Sequence, residues 1–472
     1  MKIHLSAICG TAMASLAGLL REQGHEVTGS DQDVYPPMST QLEAIGIPIL
    51  SPYAEANVPA DADLVVVGNA LSRGNPEVEA VLERRQRFTS AAALLGEEFL
   101  RPRRSLVVAG THGKTTTTSL LAFLLHEAGL DPSFLIGGVP VDFDRSYRIG
   151  RGPHFVVEGD EYDCAFFDKR PKFVHYLPNV AILGNVEFDH ADIYPDLAAV
   201  QLAFTRLLLM VPRDGLVVAG TESPALVEVL GRARGRVETF GLHDAADWRA
   251  TQVRGGAEGA RFRLVVRGED RGEVRLALAG EHNVRNALAA LAVAVAEGVP
   301  LDLARAALAR FRGVRRRLEL RGVARGVTVY DDFAHHPTAV AATLSALRAQ
   351  GEGRLVAVFE PRSYTSRTRV FQEDFARAFA AADRVIVAAA HLPGKVPEGQ
   401  RLSEQDLVDG IRGAGVRADF VARVPEIVDD LVASLRPGDR VAILSNGGFG
   451  GIHDKLLAAL AAVESGPNRS AD

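Results

Sequence analysis

Val107-Val108-Ala109-Gly110-Thr111-His112-Gly113-Lys114-Thr115-Thr116-Thr117 is the stretch on which the reading of this chain turns. A β-branched run ends in glycine, and a lysine with three threonines opens an apolar segment, Leu120, Leu121, Phe123, Leu124 and Leu125. Strand, glycine loop, lysine and helix in that order make a cradle for phosphate groups. The glycines let backbone N–H groups reach phosphate oxygens, and a helix N-terminus adds partial positive charge. Lys114 is then placed for the terminal phosphates of a nucleoside triphosphate, and the Thr115 hydroxyl for a magnesium ion. The strict form of the pattern wants glycine at position 108, where valine stands, so the loop is a shortened one. The alternative is a glycine turn before an ordinary helix, and the complete order of parts argues against it.

The rest of the composition fits a multidomain enzyme. A chain of 472 residues predicts about three domains of ordinary size. A hydrophobic content of 47% is enough for several cores. The net charge of −6, with an isoelectric point near 6.1, gives no basic footprint for nucleic acid. No apolar run reaches the ~20 residues of a membrane helix, and the N-terminus reads directly as a strand without a signal peptide's cleavage region. Two cysteines, Cys9 and Cys164, make neither a disulfide framework nor a metal-ligand pair. The expectation is a cytoplasmic protein without a membrane or nucleic-acid partner, its oligomeric state left open between monomer and weak dimer, whose tail from Glu464 to Asp472 is disordered.

Three segments follow one another. In residues 1–104, strands at Ile3–Ile8, Glu26–Gly29 and Leu64–Val67 alternate with helices such as Met13–Gln23, which predicts a parallel, Rossmann-like sheet. Its first turn, Ala7-Ile8-Cys9-Gly10-Thr11-Ala12-Met13, carries one glycine of a dinucleotide fingerprint, and Asp31 lies where an acid could bond a ribose. A nucleotide site and a purely structural turn both remain open there. Residues 105–315 hold the phosphate loop and an acidic cluster, Glu158-Gly159-Asp160-Glu161, at the end of an apolar strand. After the strand Ala181–Leu183 comes Gly184-Asn185-Val186-Glu187-Phe188-Asp189-His190. Glu158 and His190 are candidates to ligate ions on nucleotide phosphates, whereas Asp160 and Asp189 read as solvated loop charges. Trp248 to Leu278 predicts hairpins, and an alanine-rich helix then carries Asn283 and Asn286 on one face, to read an adenine edge or to cap the helix.

Residues 316–472 predict a second doubly wound sheet, with strands Gly326–Tyr330, Arg354–Phe359, Arg384–Val387 and Arg440–Leu444. The strand ends carry Asp331, Asp332, His335 and His336, then Glu360, Arg362 and Ser363, then Ser445 and Asn446. Four adjacent termini loaded with polar groups are expected to form a binding face. The fold class is therefore α/β in three domains: Rossmann-like, central phosphate-loop ATPase type with a mixed sheet, and Rossmann-like again.

With these motifs in hand, the whole chain resembles the Mur ligases of bacterial cell-wall synthesis. Gly110-Thr111-His112-Gly113-Lys114-Thr115-Thr116 looks like the family's ATP loop and Glu158-Gly159-Asp160-Glu161 like its magnesium motif. Asn185-x-Glu187-x-Asp189-His190, His282-Asn283-x-x-Asn286, Arg317 and Asp331-Asp332-Phe333-Ala334-His335-His336-Pro337-Thr338 match further signatures. The turn Cys9-Gly10-Thr11-x-Met13 and Gly29-Ser30-Asp31 are similar to the UDP-N-acetylmuramate-specific branch, although Ala7 stands where the family usually has glycine. The stretches 33–40 and 162–170, Glu360-Pro361-Arg362-Ser363 and 445–453 resemble the branch that adds the tripeptide L-alanyl-γ-D-glutamyl-meso-diaminopimelate in peptide recycling. The branch that adds free L-alanine is the alternative, and a dinucleotide-dependent oxidoreductase is the alternative from another class.

The resemblance implies ATP and Mg2+, a phosphoryl transfer to the lactyl carboxylate, and attack of an amine on the resulting acyl phosphate. It implies Lys114 on the β- and γ-phosphates, Thr115 and Glu158 on one magnesium, and His190 on a second. Asn283 and Asn286 would hold adenine, Asp331 would face the ribose, and Arg317 would complete the ATP site. Gly10, Thr11, Ala12, Met13, Ser30, Asp31 and Asn69 would bind the UDP-sugar, and His335, Arg362, Ser445 and Asn446 the peptide. His335 is a candidate base for the attacking amine, with deprotonation by solvent as the other route. Some members carry a carbamoylated lysine in the helix after His190; Leu197 to Leu209 contains no lysine here.

Overall fold

The computed structural model describes all residues except 33, 35–37, 393, 395 and 465–472. Of the expected tail, Glu464 belongs to the last helix, Ile452–Glu464, and the remainder lies outside the described residues, as does part of the stretch 33–40. Three large sheets organise the chain. The first is parallel throughout, in the order Ile49–Leu50, Glu26–Ser30, Lys2–Ser6, Leu64–Val67, Phe88–Ser90. The chain reverses direction across the sheet beside Lys2–Ser6, so the turns at 7–12, 30–31 and 68–70 share one edge.

The second sheet has ten strands, with Arg104–Ala109 near its middle between Val180–Leu183 and His154–Gly159, all parallel. Leu106, Val107, Val108 and Ala109 are buried on both faces, as a central parallel strand requires. The hairpin strands Trp248–Gly256, Gly259–Val266 and Glu269–Leu276 extend one edge antiparallel, so the sheet is mixed. One apolar core is shared by the first sheet and one face of the second. Its fully buried Phe99, Phe155, Phe173 and Phe204 each contribute about 1.5–3 kcal/mol. A second core fills the opposite face under the helices Lys114–Glu127 and Glu281–Ala296.

The third sheet has six strands with a core on each face. It differs from the doubly wound expectation at one edge, where Glu319–Ala324 pairs antiparallel with Val327–Asp332. That short edge strand directly follows the arginine cluster, and its polar alternation hides it. Beyond Val327–Asp332 the sheet continues through Arg440–Leu444, Leu355–Phe359, Arg384–Val387 and Arg417–Phe420, all parallel. The polar face is narrower than expected. The strand Arg384–Val387 runs into Ala388-Ala389-Ala390, so three adjacent termini carry the polar groups rather than four. Among the described residues no helix is long and apolar enough to cross a membrane.

Candidate active site

The phosphate loop, residues 110–113, sits at the carboxyl end of Arg104–Ala109, and the helix Lys114–Glu127 starts directly after it. Two neighbours fix its shape. Thr111 N–H donates to the Asn185 carbonyl (3.0 Å), and His112 N–H donates to Asn185 Oδ1 (2.8 Å). Glu187 N–H donates in turn to Thr111 Oγ1 (2.9 Å). Gly113 caps the helix at φ +81°, a left-handed conformation that favours glycine, and a Cβ there would meet Asn286 Oδ1 at 2.5 Å. The Asn286 amide therefore lies against the loop. Its own Nδ2–H donates to Asn283 Oδ1 (3.1 Å), while Asn283 Nδ2–H bonds the Ala279 carbonyl (2.8 Å) ahead of the helix.

Four charged side chains converge on the helix start. Lys114 Nζ donates to the Gly110 carbonyl (2.7 Å) and to Glu161 (2.9 Å). Burial alone would lower the lysine pKa, but Glu161, Asp160 and Glu158 outweigh it and hold the ammonium above its usual value. Thr115 Oγ1 donates to Glu158 Oε2 (3.2 Å), and Arg317 Nη2 donates to the same hydroxyl (3.1 Å). Arg317 comes from the far end of the chain and stacks on Phe333, 4.6 Å from the ring centroid. Burial, reinforced by the Asp160 charge, pushes the Glu158 carboxyl up to about 7. A buried carboxylate lifted that far, with a hydroxyl at hydrogen-bond distance, is a donor set that a divalent cation would satisfy. Gly113 and Lys114 open the helix, whose first backbone N–H groups and lysine ammonium are donors that phosphate oxygens would satisfy, so the residues present fit both a nucleoside triphosphate and magnesium. Thr116 is buried one residue further into the helix.

Around this centre the acidic residues are wired, not solvated. His190, itself at φ +53°, lies 3.5 Å from Glu161. Burial alone would lower the His190 pKa, but Glu161 and Asp189 raise it on balance. Asp160 and Asp189, expected as solvated loop charges, are corrected by the structure. Asp160 pairs with Lys172 (3.1 Å), whose ammonium lies 4.0 Å from the Tyr162 ring centroid. Asp189 is 5% exposed and accepts from Thr365 Oγ1 (2.7 Å), which belongs to the third sheet's segment. Asn185 and Glu161 were quoted in the sequence only as parts of motifs. Their roles as loop anchor and lysine partner needed tertiary proximity to appear.

The third segment supplies the opposite wall. Asp331 is buried between Arg316 (3.4 Å), Arg321 (3.7 Å) and His453 (3.3 Å). Asp332 accepts N–H bonds from Leu318 (2.7 Å) and Ala334 (2.8 Å), fixing the turn that presents His335 and His336. His335 Nδ1 lies 3.1 Å from the Phe333 carbonyl, and burial lowers the ring's pKa to about 4. Ser445 Oγ donates to the buried Glu360 (2.5 Å), and Arg362 packs its guanidinium against Gly447, 3.8 Å from Glu360. Asn446 Oδ1 is buried without a hydrogen-bond partner among the described residues.

At the first sheet's edge, Gly10 starts the helix Thr11–Glu22 with no side-chain cap, leaving its first amides, at Thr11 and Ala12, available. Met13 points into the core. Ser30 is spent on Glu77 (2.5 Å), and Asp31 accepts from Cys9 N–H (2.8 Å), Gln32 N–H (2.7 Å) and Tyr53 OH (3.0 Å). Asn69 is exposed in the turn after Leu64–Val67. Ala7, the departure noted in the sequence, has φ +67°.

Comparison with known proteins agrees with this geometry. Three family models cover the chain in turn: "Mur ligase family, catalytic domain" over residues 2–101, "Mur ligase middle domain" over 108–294, and "Mur ligase, glutamate ligase domain" over 316–447. A ligase of Escherichia coli (strain K12), UDP-N-acetylmuramate–L-alanyl-γ-D-glutamyl-meso-2,6-diaminoheptandioate ligase, is 45% identical over 98% of each chain. A murein peptide ligase from Psychrobacter arcticus is 38% identical, with a TM-score of 0.75 over 98% of this chain and 99% of its own. A UDP-N-acetylmuramate-alanine ligase from Thermotoga maritima is 26% identical, with a TM-score of 0.83 over 98% and 100%.

Proposed function

The chain belongs to the Mur ligase family, and from that premise we propose that it joins UDP-N-acetylmuramate to L-alanyl-γ-D-glutamyl-meso-diaminopimelate at the expense of ATP. One observation carries the reading. Glu158 of the central sheet and Arg317 of the third segment meet on the Thr115 hydroxyl, beside Lys114. That is a phosphate-and-cation site closed by the part of the chain that faces the amine. Two anions, a carboxylate and a triphosphate, must be brought together, so positioning and charge neutralisation carry most of the rate.

Lys114 would exchange Glu161 for the β- and γ-phosphates, and Arg317 would lie across the transferring phosphoryl group. Thr115 and Glu158 would hold one Mg2+ and His190 a second; the ions supply charge neutralisation on the phosphate oxygens. Asn283 and Asn286 would line the adenine. Asp331 would take the ribose through whichever oxygen the arginines leave open. On the first sheet, backbone N–H groups at Gly10, Thr11, Ala12 and Met13 would meet the UDP pyrophosphate, with Ser30, Asp31 and Asn69 around the uridine. A dependence on ATP as co-substrate fits a cytoplasmic setting.

Acyl-phosphate formation leaves an electrophile for the peptide's amine. An imidazole at about 4 is a weak proton acceptor for an ammonium group near 8, so the low pKa of His335 favours an amine deprotonated before binding, with His335 orienting it. Arg362, Ser445 and the unpartnered Asn446 Oδ1 offer a carboxylate clamp and peptide acceptors. The alanine-adding reading draws on the higher TM-score to the Thermotoga enzyme. TM-score follows the relative placement of three domains, whereas identity, 45% to the Escherichia coli ligase against 37% to an alanine-adding ligase of Salinibacter ruber, follows the side chains, and the side chains set specificity. The test is ATP-dependent phosphate release with UDP-N-acetylmuramate, comparing free L-alanine with the tripeptide. Comparable kcat/KM values for both would remove the tripeptide assignment.

A further inference from the structure

Three side chains from three separate loops meet outside the magnesium and phosphate groups described above. His112 comes from the phosphate loop, Glu187 from the loop after Val180–Leu183, and His336 from the cap of the helix Pro337–Arg348. One ligand atom from each lies within 4.8 Å of the other two. His112 Nε2 and Glu187 Oε2 are 3.4 Å apart, and His336 Nδ1 is 4.0 Å from the same oxygen. Ligands at about 2.0–2.1 Å in a tetrahedron stand roughly 3.3 Å from one another, so an ion here requires the separations, all within 4.8 Å, to close by about 1.5 Å at most. We propose that His112, Glu187 and His336 form a site for a borderline divalent ion of the Zn2+ class, which fastens the third segment to the phosphate loop.

The surroundings orient the donors as metal ligands are ordinarily oriented. His336 Nε2 lies 3.3 Å from the Phe188 carbonyl; a proton donated there leaves Nδ1 as the lone-pair nitrogen facing Glu187. Thr338 Oγ1 donates to Glu187 Oε2 (2.7 Å), holding the carboxylate at the cluster. An ion would displace the long Thr338 N–H bond to His336 Nδ1, 3.4 Å, and the long His112 Nε2–Glu187 Oε2 contact, also 3.4 Å. The two imidazoles sit with centroids 4.7 Å apart. Two neutral imidazoles and one carboxylate suit zinc or cobalt, whereas magnesium prefers oxygen donors; the set therefore differs in kind from Thr115 and Glu158.

The test uses the full chain, stripped of metal with a chelator and titrated with Co2+ and Zn2+ in the presence of excess Mg2+. The expected result is one equivalent bound, with the intense visible absorption of four-coordinate Co2+, displaced by Zn2+. His336→Ala and Glu187→Gln should each weaken that binding at least tenfold, while Glu158→Ala keeps it. Far-ultraviolet circular dichroism checks that each variant is folded; Glu187, partly exposed, is the safer substitution. Absence of the cobalt spectrum in the wild-type chain overturns the proposal. So does a spectrum that survives Glu187→Gln but is lost in Glu158→Ala, which would put the ion in the magnesium site.

Discussion

Removing Lys114 should damage the fold as well as the reaction, and the two losses can be separated. Its ammonium is 13% exposed and lies 2.9 Å from Glu161, which is 3% exposed. At an effective dielectric constant near 20, that separation corresponds to a gross attraction of about 6 kcal/mol, most of it offset by desolvating both charges. Lys114→Ala removes the attraction and leaves the desolvated carboxylate, with His190 at 3.5 Å as its remaining partner. Breaking a buried pair in this way costs about 3–5 kcal/mol, whereas removing both charges is close to neutral. The single variant should therefore unfold at clearly lower urea, and Lys114→Ala/Glu161→Gln should recover roughly half of the loss or more. Trp248 is the chain's one tryptophan and is buried in the same segment, so its fluorescence follows the relevant transition. The restored double variant should still turn over at less than a tenth of the wild-type rate, a barrier increase above about 1.4 kcal/mol. Additive stability changes would refute the ion-pair argument. A double variant retaining more than a tenth of kcat would refute the phosphate role of Lys114.

Four further outcomes are expected. Ala7→Gly should stabilise the chain by up to about 1 kcal/mol in urea unfolding, since relief at φ +67° outweighs glycine's entropic cost; a loss of stability would contradict the strain. Glu158→Ala and His190→Ala should raise the magnesium concentration for half-maximal activity or abolish activity, and an unchanged titration in both would remove them from the metal site. Activity should persist in bicarbonate-free buffer, because the helix Leu197–Met210 offers no lysine to carbamoylate; collapse reversed by bicarbonate would count against this. Arg362→Ala should raise the tripeptide KM about tenfold or more, as loss of a charged hydrogen bond costs about 1.5–3 kcal/mol, with the ATP KM nearly unchanged; equal effects on both substrates would argue for a structural Arg362.

What was legible from the residues is what depends on neighbours in sequence. The loop, its strand and its helix follow one another within residues 104–127, so order alone identified Gly110 to Thr116. The parallel sheets followed from the alternation of short apolar runs with helices. The edge strand Glu319–Ala324 did not, because a half-exposed antiparallel strand of mixed polarity gives no apolar run. Asp160 and Asp189 were misread for a related reason. A charge beside a strand end looks solvated until Lys172 or Thr365 is folded onto it, and those partners lie 12 and 176 positions away.

Those distant partners share a destination. The loop after Val180–Leu183 holds the phosphate loop through Asn185 and Glu187, and it holds the third segment through Glu187 to Thr338, the Phe188 carbonyl to His336, and Asp189 to Thr365. Five consecutive residues, Asn185 to Asp189, thus touch both the part of the chain that would grip ATP and the part that would present the amine. A shift of this loop by even half an ångström would stretch bonds on both sides at once, since packed interiors transmit displacement and do not absorb it. The proposed nucleotide and amine sites would for that reason be mechanically one unit. A substitution such as Thr365→Val, far from the phosphate loop in sequence, should then disturb nucleotide and peptide kinetics together, whereas a change confined to Arg362 disturbs only the peptide.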